Sequence, residues 1–318
     1  MKLPNNIYLN NCKIFQQIYK NKFELDVINT IDVGSKGKSM KCKYQVTTGT
    51  KDVTFSYYDA VVQDAIYTIY KASYSKFTLT DLIRVMAVDE KVRFYCTKDN
   101  IQKREQRLRD SIHRLMYTKI RIDYSEEVTM RELKDKNDRP LNGIIEDYLI
   151  PIAEEENGRV FWFLEERELP IYKYAESIRQ IINVQKEMLS LVDLNLNFSN
   201  TDEIILLKRI LIQRLERMKN PKNNIDSRVI RYYGIKLEDG ILPMAGIYKE
   251  NFAKEEKFVT DRGKVRFESR SWKNKVNNVN KKICEILDAY KKCGYLTDYK
   301  LLRNEPHGLV RGVEIAGL

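Results

Sequence analysis

The residues with the clearest capacity for chemistry sit on one predicted helix, residues 271–293. Lys273, Asn274, Asn277, Asn278, Lys281 and Lys282 recur on one side of it. Lysine neutralises phosphate, and the asparagine amide can meet a base edge with a donor and an acceptor together. That combination recognises a polyanion rather than transforming a substrate. A solvated basic surface is the competing account of the same residues. Groups that would support catalysis are sparse. His113 and His307 stand apart, with no second histidine near either to hold a metal. His113 reads as a helix-surface or packing residue. Glu154-Glu155-Glu156 precedes Asn157-Gly158 and reads as a solvated hairpin turn, because metal ligands must converge from separate elements. Glu165, Glu166 and Glu168 read as surface, and Tyr67, Tyr70, Tyr117, Tyr232 and Tyr290 as core or groove-rim aromatics. Gly37-Lys38-Ser39 resembles the end of a phosphate-binding loop, but Asp32 stands where the motif needs its first glycine. The expectation is a chain with no catalytic site, no metal and no cofactor.

The elements that position this helix follow from its own pattern. Val276, Val279, Ile283, Ile286, Leu287 and Tyr290 form the opposite, apolar stripe, with Ser271 as cap and Gly294 as stop. Short strands over 295–302 and 309–315 then flank the turn-forming Asn304-Glu-Pro-His-Gly308. A helix running into a hairpin is the second half of a winged-helix module, a variant of helix-turn-helix geometry.

Charge points the same way. The 318 residues carry a net +11 with a pI near 9.2. Residues 201–318 hold 25 Lys+Arg against 16 Asp+Glu, a net +9, and residues 1–200 only a net +2. The second part therefore faces the polyanion. No apolar run reaches the roughly 18 residues of a membrane span, and no signal-peptide pattern opens the chain. Five cysteines without CxxC spacing (Cys12, Cys42, Cys96, Cys284, Cys293) suit a reducing compartment, so a cytoplasmic protein is expected.

Along the chain, residues 1–50 are polar and mixed, with a short strand near 23–31, and are set apart as an N-terminal segment. Val61, Val62, Ala65, Ile66 and Ile69 mark a helix over 57–72. Thr80 caps a short helix at 81–87, and a long helix runs from Thr97 or Lys98 to Tyr117. Strands follow at 119–124, 144–152 and 159–164. A helix then starts near Pro170 and runs through Ile178 and Ile182, ahead of a polar hinge at 195–200. The order begins again with a helix from Thr201 to about Met218, a break at 220–224 and a short helix at 226–233 closed by Gly234. The expected fold is α+β: two tandem winged-helix domains, residues 51–195 and 196–318.

Certain stretches resemble replication initiator proteins of plasmids and mobile elements of Gram-positive bacteria, which are similar in plan to the tandem winged-helix initiators of iteron plasmids. They are Tyr58-Asp-Ala-Val-Val-Gln-Asp-Ala-Ile-Tyr67, Phe77-Thr-Leu-Thr-Asp-Leu-Ile-Arg-Val-Met86 and Ser111-Ile-His-Arg-Leu-Met-Tyr-Thr-Lys-Ile-Arg-Ile-Asp123. Weaker matches are Pro170-Ile-Tyr-Lys-Tyr-Ala175 and residues 209–219, and nothing in residues 1–50 matches. The resemblance implies sequence-specific binding of double-stranded DNA at origin repeats and recruitment of host replication proteins such as a helicase or its loader. It places the protein on the plasmid or nucleoid. A winged-helix transcriptional or partition regulator is the alternative. On this reading Lys273, Asn274, Asn277, Asn278 and Lys281 enter the major groove. Arg228 and Arg231 on the preceding short helix, with Arg266 and Arg270, hold phosphates. Arg104, Arg107, Arg109 and Arg114 of the first module serve a second DNA segment or border a homodimer interface.

Overall fold

The computed structural model describes residues 4, 6–34, 39–49, 53–87, 98–155, 158–165, 167–189, 201–219, 228–233, 240–249, 257–259, 265–267, 270–303 and 308–318. The chain has an α+β fold and divides into two compact units, residues 1–190 and 191–318.

Unit 1 begins with β1 (Asn6–Asn10), α1 (Lys13–Tyr19), β2 (Asn29–Asp32) and β3 (Lys41–Thr48). It continues with α2 (Tyr57–Lys71), β4 (Lys76–Thr78), α3 (Leu79–Ala87) and α4 (Lys98–Met116). Then come β5 (Thr118–Asp123), α5 (Ser125–Arg131), β6 (Ile144–Tyr148), β7 (Ile152–Glu154), β8 (Val160–Phe163), α6 (Pro170–Ser177) and β9 (Ile181–Gln185). The helix α2 starts where the Ser56 hydroxyl accepts from the Asp59 backbone N–H while the Asp59 carboxylate accepts from the Ser56 N–H. Its face of Val62, Ala65, Ile66 and Ile69 is buried, and α3 and α4 pack against it. Strand alternation builds the sheet β2-β3-β5-β6. Cys42, Tyr44 and Val46 point inward while Lys41, Lys43 and Thr47 point to solvent, and Ile120 and Ile122 repeat the pattern against Lys119 and Arg121. The covered side of this sheet packs on α5 and α6.

Unit 2 contains α7 (Thr201–Lys219), β10 (Val229–Arg231), α8 (Ile241–Met244), β11 (Lys257–Val259) and β12 (Val265–Phe267). It ends with α9 (Arg270–Lys292), β13 (Asp298–Arg303) and β14 (Val310–Ala316). Ile204, Ile205, Leu207, Ile210, Leu211 and Leu215 of α7 are buried, as is the whole apolar stripe of α9. Six such side chains on α9 contribute on the order of 10 kcal/mol of burial free energy, taken as an upper estimate.

The two units share an order of elements. In unit 1 it is α2, β4, α3, α4 and the hairpin β7–β8; in unit 2 it is α7, β10, α8, α9 and the hairpin β13–β14. In each, the strand after the first helix pairs antiparallel with the last hairpin strand, giving the sheets β4-β8-β7 and β10-β14-β13. Unit 1 inserts β5, α5 and β6 ahead of its hairpin, whereas unit 2 inserts β11 and β12 ahead of its third helix.

Several expectations are corrected. Residues 6–48 are not a separate segment: β1 pairs with β9, and β3 with β5, inside unit 1. Where a short helix was expected at 226–233, Val229–Arg231 form a strand, because β-branched Val229 and Ile230 favour extended backbone and buried Ile230 and Tyr232 alternate with exposed Arg231. The helix from Pro170 ends at Ser177, and Ile181, Ile182 and Val184 form β9 instead. Thr78, rather than Thr80, caps α3: its hydroxyl accepts from the Asp81 N–H, and the Asp81 carboxylate accepts from the Thr78 N–H. The Gly37-Lys38 pair, the hinge at 195–200, the break at 220–224, Gly234 and the turn residues 304–307 lie outside the described residues.

Candidate nucleic-acid interface

The helix α9 has three distinct sides. At 100° per residue, Lys273, Asn274, Asn277, Asn278 and Lys281 fall within an arc of about 140°, opposite the apolar stripe. All five are exposed, and among the described residues none of their side chains bonds to another. The N-terminal half of this face carries no acidic residue. Further along, the same side carries Glu285 and Asp288, and the Tyr299 hydroxyl of β13 donates to Asp288 over 2.9 Å. The surface suited to an anion is therefore the first half of the helix, with the hairpin reaching over the second half.

Both borders of the face are held. On one border, Lys275 and Lys282 each place Nζ near Glu203 of α7, at 3.2 and 3.3 Å from Oε2. On the other, the Tyr232 hydroxyl just past β10 donates to Asn280 Oδ1 over 2.6 Å. Burial pushes the Tyr232 phenol well above the ordinary tyrosine range, so it remains a donor. These contacts fix the roll of α9 about its axis and with it the direction of the three asparagines. Sequence reasoning placed Lys282 on the open face, read Tyr232 only as a core or groove-rim aromatic, and missed Lys275, Glu203 and Asn280. The signal available was the seven-residue spacing of Lys275 and Lys282, which puts both on one line of the helix.

Arg228, just before β10, and Arg231, at its end, are exposed on an edge strand of the three-stranded sheet and its approach, and not on a helix. Arg266 belongs to β12 and Arg270 opens α9; their side chains lie outside the described set. The hairpin β13–β14 adds exposed Lys300, Arg303 and Arg311, which were not anticipated.

The arginines of α4 are in a different situation. Arg114 Nη2 is 2.7 Å from Asp59 Oδ1, Arg109 Nε donates to the Gly158 carbonyl over 3.1 Å, and the Arg107 guanidinium lies 3.9 Å from the centre of the Tyr58 ring. Arg104 is half-buried and has a partner within the chain. His113 Nε2 is 2.7 Å from Glu154 Oε2 of β7, so the hairpin β7–β8 is tied to α4 at two points. These side chains serve the packing of unit 1.

Among the described residues, no group of three or more His, Cys, Asp or Glu is placed to hold a metal, and no helix is long and apolar enough to cross a membrane. Tyr67, Tyr232 and Tyr290 are buried, whereas Tyr117 is exposed at the end of α4.

No family model and no curated protein matches the chain. Among solved structures it is similar to the crystal structure of RctB domains 2–3 (RctB residues 155–483), with 10% identity and a TM-score of 0.32 over 66% of this chain and 69% of that one. It is also similar to selenomethionine derivatives of domain 2 and domain 3 of RctB, with 10% identity and a TM-score of 0.33 over 92% of each chain.

Proposed function

We propose that the protein is a sequence-specific double-stranded DNA-binding protein in which both units are winged-helix modules. In this reading it is a replication initiator that binds origin repeats of a plasmid or mobile element and recruits host replication proteins, without a catalytic step of its own. One observation carries the proposal: the first half of α9 presents two lysines and three asparagines, all exposed and unengaged among the described residues, on the third helix of a helix–strand–helix–helix–hairpin unit. A helix of this kind fits the major groove, where asparagine reads adenine and lysine holds guanine or phosphate. Arg231, Lys300 and Arg311 supply phosphate contacts from the adjoining sheet. Unit 1, with its α4 arginines engaged internally, is better suited to a partner subunit or to weaker DNA contact.

Footprinting of the purified protein on DNA flanking its own gene, at two salt concentrations, tests this. Protection of spaced direct repeats is the expected result. Protection of a single inverted repeat over a promoter points instead to a regulator of the same fold. Diffuse binding that vanishes with added salt removes the claim of sequence recognition.

A further inference from the structure

We infer that Glu203 holds down sequence-independent DNA affinity and its salt dependence by withholding two lysines of α9 from phosphate; this rests on the DNA-binding reading above. The helix carries four lysines between residues 273 and 282. Lys273 and Lys281 are on the open face. Lys275 and Lys282 are two turns apart on its border, and the single carboxylate of Glu203 bridges them. Glu203 is itself only 19% exposed, so this bridge is poorly screened by solvent.

The consequence follows from counterion release. Each lysine that engages a phosphate adds to affinity for any duplex and steepens its dependence on salt by about 0.9 in log–log slope. It adds nothing to the distinction between sequences. Engaging two of the four lysines with one carboxylate therefore lowers binding to all sequences alike at that border. The asparagines keep their discriminating contacts. Glu203 also holds the border of α9 against α7, which keeps the asparagines in register with the groove. It acts through the lysines and is a positioning residue.

The test uses the full-length protein with Glu203→Gln, which retains size and hydrogen-bonding capacity and removes the charge. Affinity for the footprinted duplex and for a scrambled duplex is measured between about 50 and 200 mM salt. The expected result is tighter binding to both duplexes and a log–log slope steeper by up to about 2, or roughly tenfold more affinity lost across that range. The specificity ratio stays near that of the wild type, since both duplexes gain alike. Adding Lys275→Gln and Lys282→Gln to Glu203→Gln returns the slope to that of the wild type, which a merely structural ion pair does not do. If the wild-type protein binds DNA and Glu203→Gln leaves affinity and slope unchanged while melting normally, the role given to Glu203 is wrong and the DNA reading stands. If the wild type binds no duplex at any salt concentration, both fall.

Discussion

Arg114 on α4 places its guanidinium 2.7 Å from the carboxylate of Asp59 on α2, and the Asp59 side chain has no exposed surface. Ser111 donates to the same oxygen over 2.6 Å, while the Ser56 N–H and hydroxyl donate to the other. A buried carboxylate needs this saturation, since an unpaired one is costly. Arg114 thus joins α2 and α4 of unit 1. Arg114→Ala is expected to lower the unfolding free energy by about 2 kcal/mol, the scale of a hydrogen bond to a charged group. DNA affinity of the protein that remains folded should be unchanged. Urea melts and a binding titration on the same sample separate the two effects.

Asn277→Ala combined with Lys281→Ala removes two outward groups and no intrachain contact among the described residues. The double variant should melt as the wild type does and lose sequence-specific binding, at about 1–3 kcal/mol for the lost base contact. Electrophoretic shift with specific and scrambled duplexes is the measurement. Retained specific affinity would place recognition on another element.

A pH effect is expected from Glu127. The Tyr174 hydroxyl donates to its Oε2 over 2.6 Å, and Arg131 Nη2 is 3.1 Å from Oε1. Burial outweighs both partners and raises the carboxyl above its usual value near 4.5. The folded state then binds a proton more readily than the unfolded state. Stability from this group is complete below about pH 4.5 and declines as pH rises toward the raised value. Comparing urea melts of wild type and Glu127→Gln across pH 4 to 8 should show a decline in the wild type that the variant lacks. Parallel curves would remove Glu127 as the cause.

Thiol chemistry should divide the cysteines by burial. Desolvation pushes the Cys12 thiol up to about 12 and Cys42 higher still, so neither forms thiolate near neutral pH. Cys293 is exposed at the end of α9. Brief treatment of the native protein with an alkylating reagent at pH 8 should label Cys293, while Cys12 and Cys42 react only after denaturation. Peptide mass mapping reads the result, and labelling of Cys42 in the native protein would contradict the packing of β3.

The pattern of α2, α4 and α9 was legible because each buries a long stripe at helical spacing, and no other element could hide Val276 through Tyr290. The final hairpin was legible for the complementary reason, two alternating runs around a turn. Short elements failed where three or four residues carry too little period. Ile178 and Ile182 have helical spacing, yet the β-branched run Ile181-Ile182-Asn183-Val184 pairs with β1. Residues 226–233 suggested a short helix, whereas β-branched Val229 and Ile230 and the pairing with β14 make Val229–Arg231 a strand. The alternation of Met40, Cys42, Tyr44 and Val46 with Lys41, Lys43 and Gln45 was present in the sequence as a period-two pattern. For the interface, side-chain types could nominate the open face of α9. They could not show that Glu203, 72 residues before Lys275, occupies its border. Nor could they show that Arg114 is committed to Asp59.

The pairing of β1 with β9 joins Asn6 to Gln185. Every other strand pair described in unit 1 closes a shorter loop of chain. During synthesis, therefore, β1 must wait for nearly the whole of unit 1 to leave the ribosome before it finds its partner. Closure over so long a loop is slow. Until then α2, against which β1 packs, lacks part of its cover. The opening residues act as the last piece placed, and the interval before they arrive is when the nascent chain is most open to aggregation or to a chaperone.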